Sequence, residues 1–241
     1  MYQEIQVPLH LEHLVDAFWT FSSSQKVEAF KIFPDSCTDL IFDLEGNQAF
    51  VSGVMTKFQV HKLEQPSNLI GIRFKTENFG RISNVPAVET RNQRLEVKDV
   101  LPNFRSSMME QLNACSSIEN KLLLIARFVA HSIHLPKPNK DRLLLQIAQQ
   151  IRSSSGKVNI KALAKTSCLS LRQLERRFKK SIGLSPKEFA SIVRFRQTKQ
   201  LIAQFPKKNI QEIAYDMGFF DPAHLSNEFK RIAGENPSYF R

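Results

Sequence analysis

The 241-residue sequence has few of the features that build disulfide frameworks, metal clusters or membrane spans. Its three cysteines, Cys37, Cys115 and Cys168, are odd in number and widely spaced, which argues against a disulfide framework or a cysteine-rich metal site. The longest apolar run, Leu122 to Ala126, is far shorter than the roughly 20 residues that span a bilayer. The first residues also lack the basic flank and apolar core of a signal peptide. These absences predict a cytoplasmic protein with no membrane partner.

Motifs of catalysis are equally scarce. No glycine-rich phosphate loop and no nucleophile elbow occurs in the sequence. The pairs His10/His13 and His131/His134 have helical spacing, but no Asp, Glu or Cys arrangement around them completes a metal site. We therefore predict that the chain is not an enzyme and has no cofactor, no catalytic residue and no metal ligand. Cys37 keeps one alternative open, in which the N-terminal domain is enzymatic or senses alkylation or oxidation through a thiol.

What the sequence does have is positive charge, unevenly placed. Residues 139–241 contain 20 Lys and Arg against 8 Asp and Glu, a net charge of +12, whereas residues 1–138 contain 14 against 15, a net charge of −1. The excess predicts a polyanionic partner for the C-terminal part alone. A helix that binds an anionic membrane would carry such charges along one exposed face, whereas here they are interleaved with a globular helical pattern. Nucleic acid is the favoured partner.

The N-terminal part alternates short apolar runs with turn residues, which is typical of antiparallel strands. Residues 9–21 have apolar side chains at helical spacing and predict a short helix. Strands are predicted over residues 29–33, 39–44, 49–54, 58–60 and 69–74, with a hairpin turn at residues 45–48. Helical spacing returns over residues 103–134, with an apolar face that must pack on the sheet or on a second copy of the chain. A β-rich, barrel-like domain with flanking helices is predicted over residues 1–135.

The C-terminal part has a different pattern. Two prolines within residues 136–139 break any helix and predict a linker there. A second domain, all α, is predicted over residues 140–241. It contains two copies of one helix-turn-helix pattern, at residues 160–180 and 210–230, joined by a long helix predicted over residues 186–205. The fold class is therefore α+β, with an antiparallel β-rich domain followed by two helix-turn-helix subdomains.

Local signals place the second helix of each copy. Ser170 is a predicted N-cap, and the helix after it buries Leu171, Leu174 and Phe178. Its outer face, rich in Arg, suits a major groove, where Arg binds guanine and Glu accepts from cytosine. In the second copy Gly218 tolerates the positive φ of a sharp turn, and Asp221 caps a helix that begins with proline.

The second copy resembles the signature of AraC/XylS-type bacterial transcription regulators. The matching residues are Ile213-Ala214, Met217-Gly218-Phe219, Asp221, Phe229-Lys230, Gly234, Pro237 and Tyr239-Phe240-Arg241. The first copy agrees at Leu163-Ala164, Ser170, Leu174, Arg177-Phe178-Lys179-Lys180, Gly183, Ser185-Pro186 and Phe189. The resemblance covers residues 143–241. It implies two helix-turn-helix subdomains held by a long helix, with both recognition helices entering adjacent major grooves on one face of the duplex.

By position, the resemblance implies DNA contacts from both recognition helices. The base-contact candidates are Arg172, Glu175 and Arg176 in the first helix and Ala223, His224 and Asn227 in the second. The phosphate-contact candidates are Ser170, Lys179, Lys180, Arg194, Asp221 and Lys230, and Arg194 also admits a structural role as an ion-pair partner. Ala223 offers only apolar contact, and Phe220 and Pro222 stand where family members often carry polar residues. We therefore expect the first helix to carry most of the sequence specificity and the second to fix the register.

The resemblance also implies partners. Family members often pair the DNA-binding part with a cupin-like sensor or dimerisation domain, although residues 33–42 and 70–74 look closer to a less characterised domain found with such regulators. The implied partners are double-stranded DNA, a small-molecule effector, RNA polymerase if the protein is an activator, and a second copy in a homodimer. A binder of RNA or single-stranded nucleic acid is the alternative in another class. It would need exposed aromatic residues among the positive charges, and the C-terminal aromatics fall at predicted core positions.

Overall fold

A computed structural model of the chain describes residues 1–63, 66–133 and 142–241, except the side chains of Glu28 and Leu63. The chain divides into two compact units. Unit 1 consists of Met1–Phe30, Cys37–Val54 and Val60–Lys140, and unit 2 consists of Lys31–Ser36, Met55–Gln59 and Asp141–Arg241. The β-rich first unit and the helical second unit confirm the predicted α+β class. The predicted linker, residues 136–139, lies outside the described residues, and the predicted domain boundaries remain predictions.

Unit 1 is built on a six-stranded antiparallel sheet with the strand order β1-β2-β7-β4-β5-β8, and β3 pairs with β6 in a separate two-stranded sheet. The strands are β1 Tyr2–Ile5, β2 Val15–Ser23, β3 Val27–Ile32, β4 Cys37–Asp43, β5 Gln48–Ser52, β6 Gln59–Leu63, β7 Ser67–Lys75 and β8 Arg94–Glu96. The helices are α1 Thr76–Phe79, α2 Ala87–Thr90, α3 Val97–Val100, α4 Ser107–Ala114 and α5 Ile118–Ser132. All five predicted strands are present, although their ends differ by one to three residues.

The prediction of a helix over residues 9–21 is wrong. A single 3₁₀ turn, Leu9–Leu11, is followed by strand β2. β2 is buried on both faces: Phe18 is 1% exposed, and Ala17 and Trp19, on the opposite face, are 6% and 7% exposed. A strand covered on both faces is apolar at consecutive positions, and such a run imitates the helical period.

The apolar face predicted over residues 103–134 packs on the sheet of its own unit. It belongs to two helices, since Ser117 ends the intervening turn and accepts the N–H of Asn120 as the N-cap of α5. Leu112, Ile125 and Val129 lie in one core cluster with residues of β4, β5 and β7. The hairpin at residues 45–48 is confirmed by the antiparallel pairing of β4 with β5, in which Asp43 is opposite Gln48.

Within residues 142–241, unit 2 contains six helices and a final 3₁₀ turn, Pro237–Phe240. The helices are α6 Arg142–Ser153, α7 Ile160–Thr166, α8 Leu171–Ile182, α9 Pro186–Gln204, α10 Ile210–Asp216 and α11 Pro222–Ala233. The long helix predicted over residues 186–205 is α9. It begins with Pro186 behind a reciprocal capping box between Ser185 and Glu188, an arrangement that satisfies two of the free amides at the helix start.

Two short segments from the first third of the sequence form part of unit 2, Lys31–Ser36 and Met55–Gln59. Phe33 packs edge-to-face on Phe240 with ring centroids 5.1 Å apart. The backbone N–H of Phe58 donates to the carbonyl of Ile232 at 2.8 Å, and this bond satisfies one of the carbonyls that the last turn of a helix leaves free. The second helix-turn-helix subdomain is therefore completed by residues far away in sequence.

Candidate DNA interface

The first helix-turn-helix motif consists of α7, a tight turn and α8. Asn159 caps α7 by accepting the N–H of Ala162 at 3.1 Å. The turn places Cys168 at a φ of +53°, and the N–H of Leu169 then donates to the carbonyl of Ala164 at 3.0 Å. This local bond fixes the direction in which α8 leaves the turn.

The start of α8 is held by a reciprocal capping box. Ser170 Oγ accepts the N–H of Gln173 at 3.2 Å, and Gln173 Oε1 accepts the N–H of Ser170 at 2.9 Å. Leu174 and Phe178 are fully buried on the inner face, as predicted. Leu171, also predicted to be buried, is 38% exposed, so this part of the prediction is wrong.

The outer face of α8 is exposed along its length. Each of the following side chains is exposed: Arg172, Glu175, Arg176, Lys179 and Lys180. The three base-contact candidates and the two lysines thus share one open surface, with the inner face anchored in the core. Such a surface is able to enter a major groove.

The second motif, α10, turn and α11, repeats the first with one difference. Gly218 takes the place of Cys168 at a φ of +72°, and the N–H of Phe219 donates to the carbonyl of Ala214 at 2.9 Å, as Leu169 does to Ala164. However, α10 begins 50 residues after α7, whereas α11 begins 51 residues after α8. The second turn therefore contains one extra residue. That residue is Phe220, and its side chain is 84% exposed.

The extra residue changes how the helix start is satisfied. Asp221 Oδ1 accepts the N–H of His224 at 2.6 Å, so the predicted N-cap is confirmed. His224 Nδ1 lies 3.3 Å from the backbone N of Phe220, which donates to it. The imidazole ring also stands edge-on against buried Phe219, with ring centroids 5.5 Å apart. His224 is exposed but held in place, and the other two base-contact candidates of α11, Ala223 and Asn227, are exposed as well.

Arg194, on α9, supports the second turn. Its Nη1 donates to the carbonyl of Gly218 at 3.3 Å, and its guanidinium lies 4.3 Å from the ring centroid of Phe219. Burial is the largest cause that lowers the pKa of this guanidinium, and Arg231 adds to the lowering while Glu228 opposes it. These contacts, with a backbone carbonyl and an aromatic ring, give Arg194 a structural role in the second turn, and its roles as an ion-pair partner and as a phosphate contact remain predictions.

A polar network joins α9 to α11. Glu228 accepts a hydrogen bond from Ser191, and Arg231 Nη2 lies 2.7 Å from both Glu228 Oε2 and Ser191 Oγ. Burial would raise the pKa of the Glu228 carboxyl, but the hydrogen bonds from Arg231 and Ser191 outweigh burial and lower the pKa. The network fixes the angle between the linking helix and the second recognition helix.

The remaining phosphate-contact candidates occupy two kinds of position. Ser170 and Asp221 are the N-caps of the two recognition helices, while Lys179, Lys180 and Lys230 are exposed near the helix C-termini. The structure brings all of these candidates to α8, α11 or the residues that cap them, except Arg194. It also adds two residues that sequence reasoning did not select as contacts, Gln173 and Phe220. The signal for Gln173 was its capping-box spacing from Ser170, and the signal for Phe220 was the one-residue difference in spacing between the two copies.

Other chemistry is limited in the described ranges. No group of three or more His, Cys, Asp or Glu side chains there could hold a metal ion. Within the same ranges, no helix combines the length and the apolar character needed to cross a membrane. Cys37, the residue on which thiol sensing would depend, is 3% exposed.

Two protein-family models match the chain. A helix-turn-helix domain matches residues 163–241, and a domain of unknown function (DUF6597) matches residues 3–96. Among solved structures, ToxT from Vibrio cholerae aligns over 99% of this chain and 97% of its own, at 12% identity and a TM-score of 0.46.

Curated relatives are similar over part of their length. The HTH-type transcriptional regulator GlxA of Rhizobium meliloti is 38% identical over 80 residues, 33% of this chain and 24% of its own. The Msm operon regulatory protein of Streptococcus mutans is 36% identical over 111 residues, 45% of this chain and 40% of its own. The arabinose operon regulatory protein of Escherichia coli is 28% identical over 131 residues, which are 54% of this chain and 44% of its own. The chain thus spans less than half the length of these relatives. Residues 163–241 thus match a helix-turn-helix family model, and the chain is similar over part of its length to bacterial regulators of transcription and of operons.

Proposed function

We propose that the chain is a sequence-specific regulator of transcription that binds double-stranded DNA by inserting α8 and α11 into adjacent major grooves. The observation that carries this proposal is the repeated motif in unit 2, in which each recognition helix has a buried inner face and an exposed polar outer face. The positive charge supports it, since the net +12 of residues 139–241 would attract a duplex at long range. We assign base contacts to Arg172, Glu175, Arg176, Ala223, His224 and Asn227.

The proposal extends to the rest of the chain. Unit 1 senses a signal, such as a small-molecule effector, or mediates self-association, and RNA polymerase is a partner if the protein activates transcription. Regulators of operons and a transcriptional activator, RhaS of Escherichia coli, are among the proteins to which the chain is similar over part of its length. We assign no catalytic step to the chain. Because a bacterial chromosome lies in the cytoplasm, we expect the protein to act there.

Selection of bound duplexes from a random library by the full chain tests this function. The selected site and a scrambled duplex of the same length are then titrated by fluorescence anisotropy at one fixed salt concentration. We expect the selected site to bind at least about 10³-fold more tightly than the scrambled duplex, which is the usual range for specific recognition. Equal affinity for both duplexes would reduce the chain to a non-specific polyanion binder.

A further inference from the structure

The third residue of each recognition helix is tied back to the start of its own helix. In α8, Gln173 Oε1 accepts the N–H of Ser170 at 2.9 Å. In α11, His224 Nδ1 accepts the N–H of Phe220 at 3.3 Å. A backbone N–H can only donate, so each side chain must turn an acceptor toward the helix start. Each side chain therefore keeps an N–H donor that is free to bind a partner.

For His224 this bond selects one form of the imidazole. A ring whose Nδ1 accepts a hydrogen bond, with one nitrogen protonated, is neutral and carries its proton on Nε2. The edge-on contact with Phe219, at an interplanar angle of 84°, and the cap from Asp221 to the backbone of His224 hold the residue further. The exposed His224 therefore presents one N–H in a fixed orientation, and little freedom is lost when a partner binds it.

The position of His224 determines what that donor meets. Residues at the N-terminal end of a recognition helix are the ones that contact base edges, and His224 lies in the first turn of α11. The N7 atom is an acceptor on the major-groove edge of both purines, whereas cytosine presents only its amino donor there. A fixed N–H is therefore repelled by cytosine and fits an acceptor, of which N7 is the one that both purines share and thymine O4 and guanine O6 are the others.

We propose that His224 is a specificity-determining residue that donates its Nε2–H to N7 of a purine in the part of the site covered by α11. This inference rests on the proposed function, since it requires α11 to lie in a major groove. It assigns base recognition to the second motif as well as the first. It also explains what the extra residue Phe220 contributes: a backbone N–H placed where the ring of His224 accepts it.

Two substitutions separate the donor from the acceptor. His224→Asn keeps an acceptor near the position of Nδ1 for the N–H of Phe220 and leaves no donor at the position of Nε2, because the Asn amide is shorter than the imidazole. His224→Gln restores an outward N–H while it accepts at the helix start, as Gln173 does in α8. Phe220→Ala is the matched control, because it removes the exposed ring and keeps the backbone N–H. Thermal unfolding of each full-length variant shows whether the fold is retained.

The DNA is changed in parallel. Once the full chain has selected a site, footprinting identifies the part covered by α11, and each purine there is replaced in turn by its 7-deaza analogue, which has a C–H in place of N7. We expect one replacement to weaken wild-type binding roughly two- to tenfold, the net value of one hydrogen bond. The same replacement should leave His224→Asn unaffected and still weaken Phe220→Ala and His224→Gln.

The outcomes distinguish this inference from the function on which it depends. If no purine position affects wild type and His224→Asn differently while a specific site is bound, the assignment of His224 is overturned and the proposed function stands. If the chain selects no site, the proposed function itself fails. Sensitivity to a 7-deaza purine that persists in His224→Asn would assign the N7 contact to another residue.

Discussion

The two helix-turn-helix motifs share one backbone plan but differ at the surface offered to DNA. The first recognition helix exposes Arg172, Glu175 and Arg176, whereas at the equivalent positions of the second Ala223 and Asn227 are exposed and Ser226 is half-buried. The helix starts differ too. Pro222 has no N–H to offer a phosphate, and the Asp221 carboxylate stands where Ser170 has a hydroxyl.

We infer from this difference that the two motifs contact DNA bases in different ways. Charged, flexible side chains in the first motif are suited to bidentate contacts with bases. In the second motif one locked donor, His224, is combined with an exposed aromatic ring, Phe220. The second motif also receives Phe33 and Phe58 from the first third of the sequence. Its stability therefore depends on residues that the first motif does not use.

The largest difference in stability is expected at the glycines that end the two recognition helices. Gly183 and Gly234 both have a left-handed backbone, with φ of +84° and +67°. Gly183→Ala should lower the free energy of unfolding by about 1–2 kcal/mol, the usual cost of this conformation. Gly234→Ala should cost more, because its new Cβ would lie 2.5 Å from the ring of Phe58. Urea unfolding of the full-length variants measures both.

A double substitution provides the control for that comparison. In a Phe58→Ala background the ring is absent, so the additional cost of Gly234→Ala should disappear. Equal costs for the two glycine variants, or strict additivity with Phe58→Ala, would show that the second motif does not depend on the segment around Phe58.

Substitutions at the equivalent residues Arg176 and Asn227 test whether the two motifs contribute unequally to the affinity for DNA. Arg176→Ala should weaken binding to the selected site by about 1–3 kcal/mol, the value of a bidentate base contact, with a smaller effect on scrambled DNA. Asn227→Ala should weaken it less, since α11 is expected to contribute fewer such contacts. Anisotropy titrations at one salt concentration provide the comparison. Equal losses of Arg176→Ala on both duplexes would identify Arg176 as a phosphate contact instead.

The salt dependence of DNA binding should change by the same amount when either motif loses a lysine. Lys179→Ala and Lys230→Ala remove equivalent exposed lysines near the ends of α8 and α11. Each should weaken binding uniformly across sequences and reduce the slope of log affinity against log salt by about one. Lys98→Ala, which changes an exposed lysine of unit 1, is the control and should leave the slope unchanged. An unchanged slope for Lys230→Ala would indicate that α11 lies away from the backbone.

The smallest effect is expected from the network around Glu228. Its carboxyl has a lowered pKa in the folded protein, so its contribution to stability is present above the ordinary glutamate pKa of about 4.3. That contribution is lost as the pH falls through the lowered pKa. Glu228→Gln should therefore destabilise the chain at neutral pH and make less difference in acid, as measured by urea unfolding at both pH values. A difference that grows in acid would contradict the assignment.

The C-terminal helices could be predicted because their boundaries depend on neighbours in sequence. Ser170 and Asp221 are caps that can be recognised from a few residues, and both cap as predicted. Strand β2 could not be predicted from the sequence, because its burial on both faces removes the alternation of apolar and polar residues that marks a strand. The sequence also gave no sign that Phe33 and Phe58 would complete unit 2, since that packing joins residues about 200 positions apart.

The residues of the candidate site could be predicted from the sequence, but the hydrogen bonds that orient them could not. Arg172, Glu175 and Arg176 lie on the exposed face of α8 as helical spacing requires. The role of His224 depends on where one extra residue places the N–H of Phe220. Only the backbone geometry of the second turn reveals that bond.

Hydroxyl-radical footprinting of the full chain on its selected site tests the central claim most directly, that two unequal motifs occupy adjacent major grooves. The account predicts two protected patches on one face of the duplex, about one helical turn or 10 base pairs apart. Arg176→Ala should weaken protection across the whole site, and His224→Asn should weaken it chiefly in the patch covered by α11. A single protected patch, or two patches on opposite faces of the duplex, would contradict the account.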